Sequence, residues 1–409
     1  MNYRRKSCRV CGSGDFVKII DLGKQPLANA FLAKKDFDFE KKYPLRVYFC
    51  KKCHLVQLLD VVSPDTLFGD YVYVSSTSPS FVAHFKSYAE ELNSRFGIKG
   101  RLVVDLGSND GILLKPLKKL GAVVLGIDPA KDIAKKATKE GIETWPDFFS
   151  PVLAEKILKK KGWAKIITAN NTFAHIDDSK GVVNGVKKLL SDDGVFVIEV
   201  PYLIDFLEKK LFDTIYHEHL SYFALEPLVA LMDGSGMNVF DVQRVPSHGG
   251  SVRVFIQKKG GPHAPSRSLK ELSGKEKSLK LDKISTYKKF AVEVGDNKKK
   301  LIRLLKSLKS KGANIAGYGA PAKGNTLLNY VGINNKILEY IVDDSPYKQG
   351  LYTPGTHIPV VNIAHIKSDH PDFLIILAWN YAESIISKCR EFQSRSGKFI
   401  IPIPEPKII

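Results

Sequence analysis

The chain has 409 residues, a formal net charge of +19, and is 44% hydrophobic and 26% charged. These are the fractions of a soluble globular protein, and the length suits two or three domains, each able to bury a core. No run of ~18 apolar residues occurs, so no membrane span is expected.

The first six residues, MNYRRK, lead into a cysteine motif and not an apolar stretch. That argues against a signal peptide and for the cytoplasm. The basic charge fits nucleic acid, an acidic membrane or a phosphorylated small molecule. There is no RRM, zinc-finger or helix-turn-helix signature, so neither nucleic acid nor membrane is an expected partner. Oligomeric state is not readable. The lysines are densest between Lys270 and Lys311, where Phe290, Val294, Leu301, Leu304, Leu305 and Leu308 recur at helical spacing. This predicts helices with solvated basic faces, with attraction of an anionic substrate as the alternative.

Residues 1–75 form a first module. Cys8-Arg-Val-Cys11 and Cys50-Lys-Lys-Cys53 are two CxxC pairs, which together supply the four thiolates of a tetrahedral structural zinc site. A redox pair or iron–sulfur cluster is the lesser alternative. His54 would displace a cysteine, so it is read as a surface residue. Cys389 stands alone and is expected to pack in a helix.

Residues 76–257 form the second module. A helix from about Ser80 to Phe96 precedes Leu102-Val-Val-Asp-Leu-Gly-Ser-Asn-Asp-Gly111, a buried strand running into a glycine turn and a helix. Strand and helix signals then alternate to about Pro201, the rhythm of a parallel sheet covered on both faces. Gly107 and Gly111 let the backbone approach a ligand, flanked by Ser108 and Asn109. Asp105 can accept from an ammonium group. Asp128 ends the next strand about 20 residues later, where an acid grips ribose hydroxyls. The turn lacks the middle glycine that makes room for a pyrophosphate. Asp105 and Asp110 would repel phosphate but suit the cationic sulfonium and amine of S-adenosylmethionine (SAM). Asp147 and Phe148 supply an acid and an aromatic for adenine, core packing being the alternative for Phe148. Asn170 adds a polar group at the carboxyl edge of the fourth strand. A nicotinamide cofactor is the competing reading.

Tyr216-His-Glu-His-Leu-Ser-Tyr222 follows the fifth strand. It lacks the i, i+4 histidines of a helical metal site. Two imidazoles, a carboxylate and two phenols within seven residues suit proton removal and oxyanion stabilisation. Strands are expected over 239–257, with His248-Gly249-Gly250 as their turn.

Residues 258–409 form the third module, a second α/β rhythm with strands at Ala313–Gly317, Leu338–Val342 and Phe373–Ala378. Gly317-Tyr-Gly-Ala-Pro-Ala-Lys-Gly324 follows a strand and opens a helix, so its amides and Lys323 could hold a diphosphate, with Asn325 as a further substrate-binding residue. Asp343 ends the next strand as a ribose or base contact. A purely structural glycine turn is the alternative. The proline-rich end from Ile401 to Pro406 cannot be helical.

The blocks CRVCG, CKKC, DLGSNDGILL, GIDPA, NNTFAH, TIYHEHLSYF, HGGSVRV and GYGAPAKGN, in this order, resemble the SAM-dependent nucleotide-diphosphosugar C-methyltransferases of deoxysugar biosynthesis. The resemblance spans nearly the whole chain. It implies a zinc module, a class I methyltransferase doubly wound α/β sheet, and a C-terminal Rossmann-like domain that helps hold the sugar nucleotide. It implies methylation at C3 of a 4-keto-6-deoxysugar through an enolate, with His219 as base and His217 as second choice. Tyr216, Glu218, His175 and either Tyr71 or Tyr73 would surround the sugar, with Tyr222, His248 and Arg253 as further substrate contacts. The rivals are an O- or N-methyltransferase, a nicotinamide-dependent oxidoreductase using Gly317–Gly324, and a zinc-knuckle nucleic-acid-binding protein.

Overall fold

A computed structural model describes residues 2–68, 76 and 79–409. Its centre is a seven-stranded sheet in the order Met237–Val245, Ser251–Lys258, Leu190–Pro201, Ala164–Asn170, Leu102–Leu106, Val123–Ile127 and Thr144–Trp145. The five strands from Leu190–Pro201 outward are parallel. Their near-continuous apolar runs are what burial on both faces demands. Ser251–Lys258 pairs antiparallel to Leu190–Pro201, Phe196 facing Ile256, and closes the edge with Met237–Val245. The strand order reverses between Leu102–Leu106 and Ala164–Asn170. That switch point opens a crevice at the carboxyl edge, where Asp105, Asp128 and Asn170 all lie.

The first module is a four-stranded antiparallel sheet in the order Ser221–Tyr222, Val56–Leu58, Lys42–Cys50 and Phe16–Pro26. Its edge strand comes from the second module, immediately after the HEH cluster. The third module is a six-stranded sheet, in the order Val360–Val361, Ile341–Val342, Ile315–Tyr318, Phe373–Ile376, Lys398–Ile401 and Lys407–Ile408. All pairs in it are parallel except the last. The expected strand at Leu338–Val342 shrinks to Ile341–Val342.

The lysine-rich stretch forms helices Arg267–Ser278 and Ile284–Ser310. The longer one buries Tyr287, Phe290, Val294, Leu301 and Leu305 along one face, at the 3.6-residue period. Those side chains reach all three modules. Tyr287 meets Phe49 at 5.0 Å between ring centroids, and Phe290 meets Phe206 at 4.8 Å. Asn297 donates to the Pro402 and Pro404 carbonyls of the proline-rich end. Cys389 is buried at a junction of two short helices. Among the described residues no helix is long and apolar enough to cross a membrane.

Arg253, expected to reach substrate, is engaged elsewhere. Its guanidinium donates twice to Glu199, at 3.0 and 2.8 Å, and once to Glu91 at 2.7 Å, and lies 3.5 Å over the Tyr88 ring. Glu199 also accepts from Ser247 and pairs with His84 at 2.9 Å. Burial would raise the Glu199 carboxyl, but His84 and Arg253 hold it down at about 2. The Arg253 and Glu199 side chains are 4% and 0% exposed. Removing the cation therefore strands a buried carboxylate. Arg253→Met is expected to destabilise the fold by about 3–5 kcal/mol, read as a lower urea midpoint at unchanged m-value. A midpoint like that of the unaltered chain would mean the network contributes nothing.

Candidate active site

The four thiols Cys8, Cys11, Cys50 and Cys53 gather with their sulfurs all within 4.8 Å of one another. Each CxxC is a tight knuckle: Gly12 N donates to the Cys8 carbonyl and His54 N to that of Cys50. The residue after each second cysteine is left-handed, Gly12 at φ +72° and His54 at +63°. Thus His54 closes a turn and is not a fifth ligand; its Nδ1 lies 3.1 Å from Glu226. Gln57 donates to the Cys8 sulfur at 3.2 Å, the kind of outer hydrogen bond that orients a metal-bound thiolate. Four thiolates fit tetrahedral zinc with no open position.

At the crevice, Asp105 is buried and accepts from Thr168 Oγ1 at 2.6 Å and Asn170 Nδ2 at 3.2 Å. Burial raises its carboxyl to about 7. Asp128 accepts from the Asn109 and Ala130 amides, at 2.8 and 2.9 Å. The strand-to-helix turn packs tightly, since a Cβ on Gly107, at φ +71°, would stand 2.1 Å from Thr172 Oγ1. Ser108 Oγ, Asp110 Oδ1 and Asn170 Oδ1 are buried without a hydrogen-bond partner among the described residues. Native interiors seldom leave such groups unpaired, so this crevice suits a polar ligand. Asp147 lies further out, lining an open groove of about 680 Å³ with Trp145, Lys156, Lys160 and Lys161. Phe148 is 44% exposed.

The HEH segment is a turn between the 3-10 turn Phe212–Thr214 and the strand Ser221–Tyr222. His219 is partly buried, and its Nδ1 lies 2.7 Å from the Thr214 carbonyl. A carbonyl only accepts, so Nδ1 carries a proton, and in the neutral ring the lone pair is on Nε2. The His219 ring packs on Tyr216, 3.9 Å between centroids, and on His175 at 5.1 Å, with Tyr222 at 6.5 Å. His217 turns away. It is buried, with Nε2 3.3 Å from the Tyr43 carbonyl, and burial lowers it to about 4. Glu218 is buried too, accepts from Asn29 at 2.6 Å, and is raised by burial to about 7. Tyr71 and Tyr73 lie outside the described residues, as does the side chain of His248.

In the third module Lys323 lies 3.7 Å over the Trp379 ring and donates to Asn380. Burial lowers its ammonium to about 8, with Asp213 acting the other way. Asn325, expected at the substrate, is buried and donates to the Ala28 carbonyl at 2.7 Å. It therefore ties the first module to the third. Asp343 accepts from the Ala320 and Ser345 amides at 2.7 and 2.8 Å, bracing the glycine turn. Asn29, Asp213, Trp379 and Asn380 escaped the sequence reading. The last two follow the strand Phe373–Ile376, at the carboxyl edge where ligands collect in open α/β sheets, and that position was the available signal.

Three family comparisons cover the chain in order. Residues 8–68 match a family described as "Putative zinc binding domain", 82–242 a methyltransferase domain, and 246–404 a C-methyltransferase C-terminal domain. The C-methyltransferase NovU of Streptomyces niveus is 38% identical over 404 residues, covering 98% of this chain and 96% of that one. The chain belongs to the C-methyltransferase family. It is thus a SAM-dependent C-methyltransferase with an N-terminal zinc module. A ubiquinone biosynthesis O-methyltransferase of Colwellia psychrerythraea is 24% identical over 44% of this chain and 79% of its own. Magnesium protoporphyrin IX methyltransferase of Synechocystis, solved with SAM bound, aligns over 43% of this chain and 79% of its own, at 13% identity and a TM-score of 0.34.

In this C-methyltransferase the zinc knuckles carry Val56–Leu58, the strand that receives Ser221–Tyr222. Replacing Cys50 with Ser is expected to release zinc and lower the melting temperature, together with loss of methyl transfer. Zinc content by plasma mass spectrometry and calorimetric melting check it; a metal-free variant that melts normally would remove the structural role.

Proposed function

We propose that this C-methyltransferase acts on a nucleotide-diphospho-4-keto-6-deoxysugar, in the cytoplasm, methylating C3 beside the ketone with His219 as the base. The observation that carries the reading is the Thr214 carbonyl on His219 Nδ1, which leaves Nε2 as the basic nitrogen. A C–H next to a ketone is acidic because the enolate spreads its charge to oxygen. Nε2 takes that proton, and the carbanion carbon becomes the nucleophile. SAM, when bound, supplies the electrophilic methyl group. His175 and Tyr216, packed on the His219 ring, are placed to hydrogen-bond the sugar and its developing oxyanion, with Glu218, Tyr222 and Tyr71 or Tyr73 as further members of that shell. Glu218, raised to about 7, is able to carry a proton near neutral pH.

Asp105, Gly107, Ser108, Asn109, Gly111, Asp128 and Asn170 would hold SAM, with Asp147 and Phe148 at the outer, adenine end. The unpartnered Ser108, Asp110 and Asn170 atoms support that assignment. Lys323 would face the diphosphate, with Asp343 supporting the turn beside it and His248 as a further substrate contact. Arg253 and Asn325 have structural partners instead.

The test is a mass-spectrometric assay in D2O, with dTDP-, GDP-, CDP- and UDP-4-keto-6-deoxyglucose, with and without SAM. Deuterium entering beside the ketone, and a methyl on carbon when SAM is present, is the expected result. His219→Ala should abolish both while SAM still binds; turnover like that of the unaltered enzyme would remove His219 as base. If SAM binds and all four sugars stay unchanged, the acceptor lies outside this class.

Asp105 adds a pH dependence. Its carboxyl is raised to about 7 by burial, so it is protonated below that pH and ionised above it. An ammonium group favours the ionised form. SAM affinity should therefore rise from pH 6 to about 7.5 and fall again as the cofactor's own α-amino group loses its proton at about pH 8. At pH 6 only about one-tenth of Asp105 is ionised, so the gain is roughly fivefold. Isothermal titration calorimetry checks it, and Asp105→Asn should flatten the rise.

A further inference from the structure

Asp213 is fully buried in the 3-10 turn Phe212–Thr214, one residue before the carbonyl that orients His219. A buried carboxylate must be hydrogen-bonded to persist as a charge. Its Oδ2 accepts Trp379 Nε1 at 2.6 Å; burial raises its carboxyl to about 6, while the Lys323 charge, the indole N–H and the amides of Asp213 and Thr214 favour the ionised form. Trp379 belongs to the third module, in the turn Trp379–Tyr381 that follows the strand Phe373–Ile376.

That indole is held from several sides. Lys323 covers its face at 3.7 Å. On another side the hairpin turn of the central sheet comes so close that a Cβ on Gly249, at φ +90°, would stand 3.0 Å from Trp379 Cη2. Phe212, the first residue of the Asp213 turn, packs edge-on against Tyr330, 5.4 Å between centroids, on the helix Ala322–Val331 that carries Lys323. Segments of both domains thus converge on one N–H and one carboxylate.

We propose that Asp213 and Trp379 are positioning residues for the base. The indole N–H fixes the Asp213 carboxylate, the carboxylate fixes the turn Phe212–Thr214, and the Thr214 carbonyl at the end of that turn keeps His219 in its Nδ1–H form. How the third module seats at Lys323 is thereby transmitted to the base. This rests on His219 being the base, and the test separates the two ideas.

The first measurement needs no substrate. Long-range 15N–1H spectra of the full, zinc-loaded chain labelled at histidine report each ring's tautomer, the His219 signal being identified by its loss in His219→Ala. Wild type should show the Nδ1–H form. Trp379→Phe keeps an aromatic ring beneath Lys323 but removes the N–H together with part of the indole that faces Gly249; Asp213→Leu removes the acceptor. Both should move His219 toward a mixture of tautomers. An unchanged His219 signal in both folded variants would overturn the proposal.

The second measurement uses whichever of the four 4-keto-6-deoxyglucose nucleotides exchanges fastest in D2O. A hydrogen bond to a charged group predicts a roughly tenfold fall in the exchange rate and kcat of Trp379→Phe. KM and the SAM dissociation constant should stay within about twofold of wild type. A rise in KM at constant kcat would make Trp379 a substrate contact instead. Asp213→Asn, nearly isosteric and still able to accept from the indole, should retain several-fold more exchange than Asp213→Leu. It also serves where the leucine does not fold; equal loss in a folded pair would overturn the proposal. If His219→Ala still exchanges deuterium, the base assignment fails and this inference fails with it. If His219→Ala is inert while Trp379→Phe matches wild type in tautomer and rate, only the inference fails.

Discussion

Two residues of strand pairing hold the molecule's working parts together. Ser221 faces Gln57 and Tyr222 faces Val56, so the segment after the histidine cluster becomes the edge of the zinc module's sheet. Leu58 N donates to the Leu220 carbonyl at 2.9 Å. At the other end Phe223 bridges to Tyr202, and its carbonyl accepts from Leu203 N, in the methyltransferase module. Residues 216–220 therefore run from the 3-10 turn Phe212–Thr214 into a segment, 220–223, that is held by both modules. A loop in that position cannot fray independently of its neighbours, which is how irregular backbone acquires the precision of a regular element. So short a strand could not pair alone in water. It depends on Val56–Leu58 being held in place, and that strand begins just past the second knuckle. The metal's contribution is therefore indirect: it keeps the template against which the HEH segment is laid.

The same logic explains why HEH is not a row of equivalent residues. Successive side chains on a turn point in different directions, and each finds a different environment. His217 goes into the interface with the first module, where burial favours its neutral form. Glu218 is sealed against Asn29 of that module. His219 faces His175 and Tyr216 with its Nδ1 tied back to the backbone. The three-residue motif thus divides into two buried side chains and one partly exposed imidazole. The division is made by the surroundings and not by residue type.

This also marks how far the sequence could be read. The switch-point crevice, the zinc knuckles, the lysine-rich helices and the second α/β unit all follow from local signals: period, glycine turns, CxxC spacing. The roles of Arg253 and Asn325 do not. Each is a polar residue in a motif that adjoins a pocket, and only long-range pairing reveals their partners, Glu199 and Glu91 for one and Ala28 for the other. Glu91, Ala28 and Asn29 lie about 160 to 300 residues away along the chain from the groups they meet. No window of periodicity spans that separation. Trp379 and Asp213 were invisible for the same reason, since neither belongs to a motif and their contact joins two domains.

Charge is sorted across the crevice in a way the net +19 conceals. The methyltransferase side is lined by buried carboxylates, Asp105 and Asp128, with carboxylate Asp110 beside them. Across the domain junction the corresponding charge is Lys323, a part-buried ammonium over Trp379 that donates to Asn380. In a region of low effective dielectric, a carboxylate raised by burial gains from a cationic partner, and an ammonium lowered by burial gains from an anionic one. A sulfonium cofactor and a diphosphate acceptor, on the proposed reading, would each find the complementary end and be repelled from the other. The surface lysines add only a screened, long-range attraction for anions. On that reading it is the few charges held by named hydrogen bonds, more than the surface lysines, that would sort the two ligands.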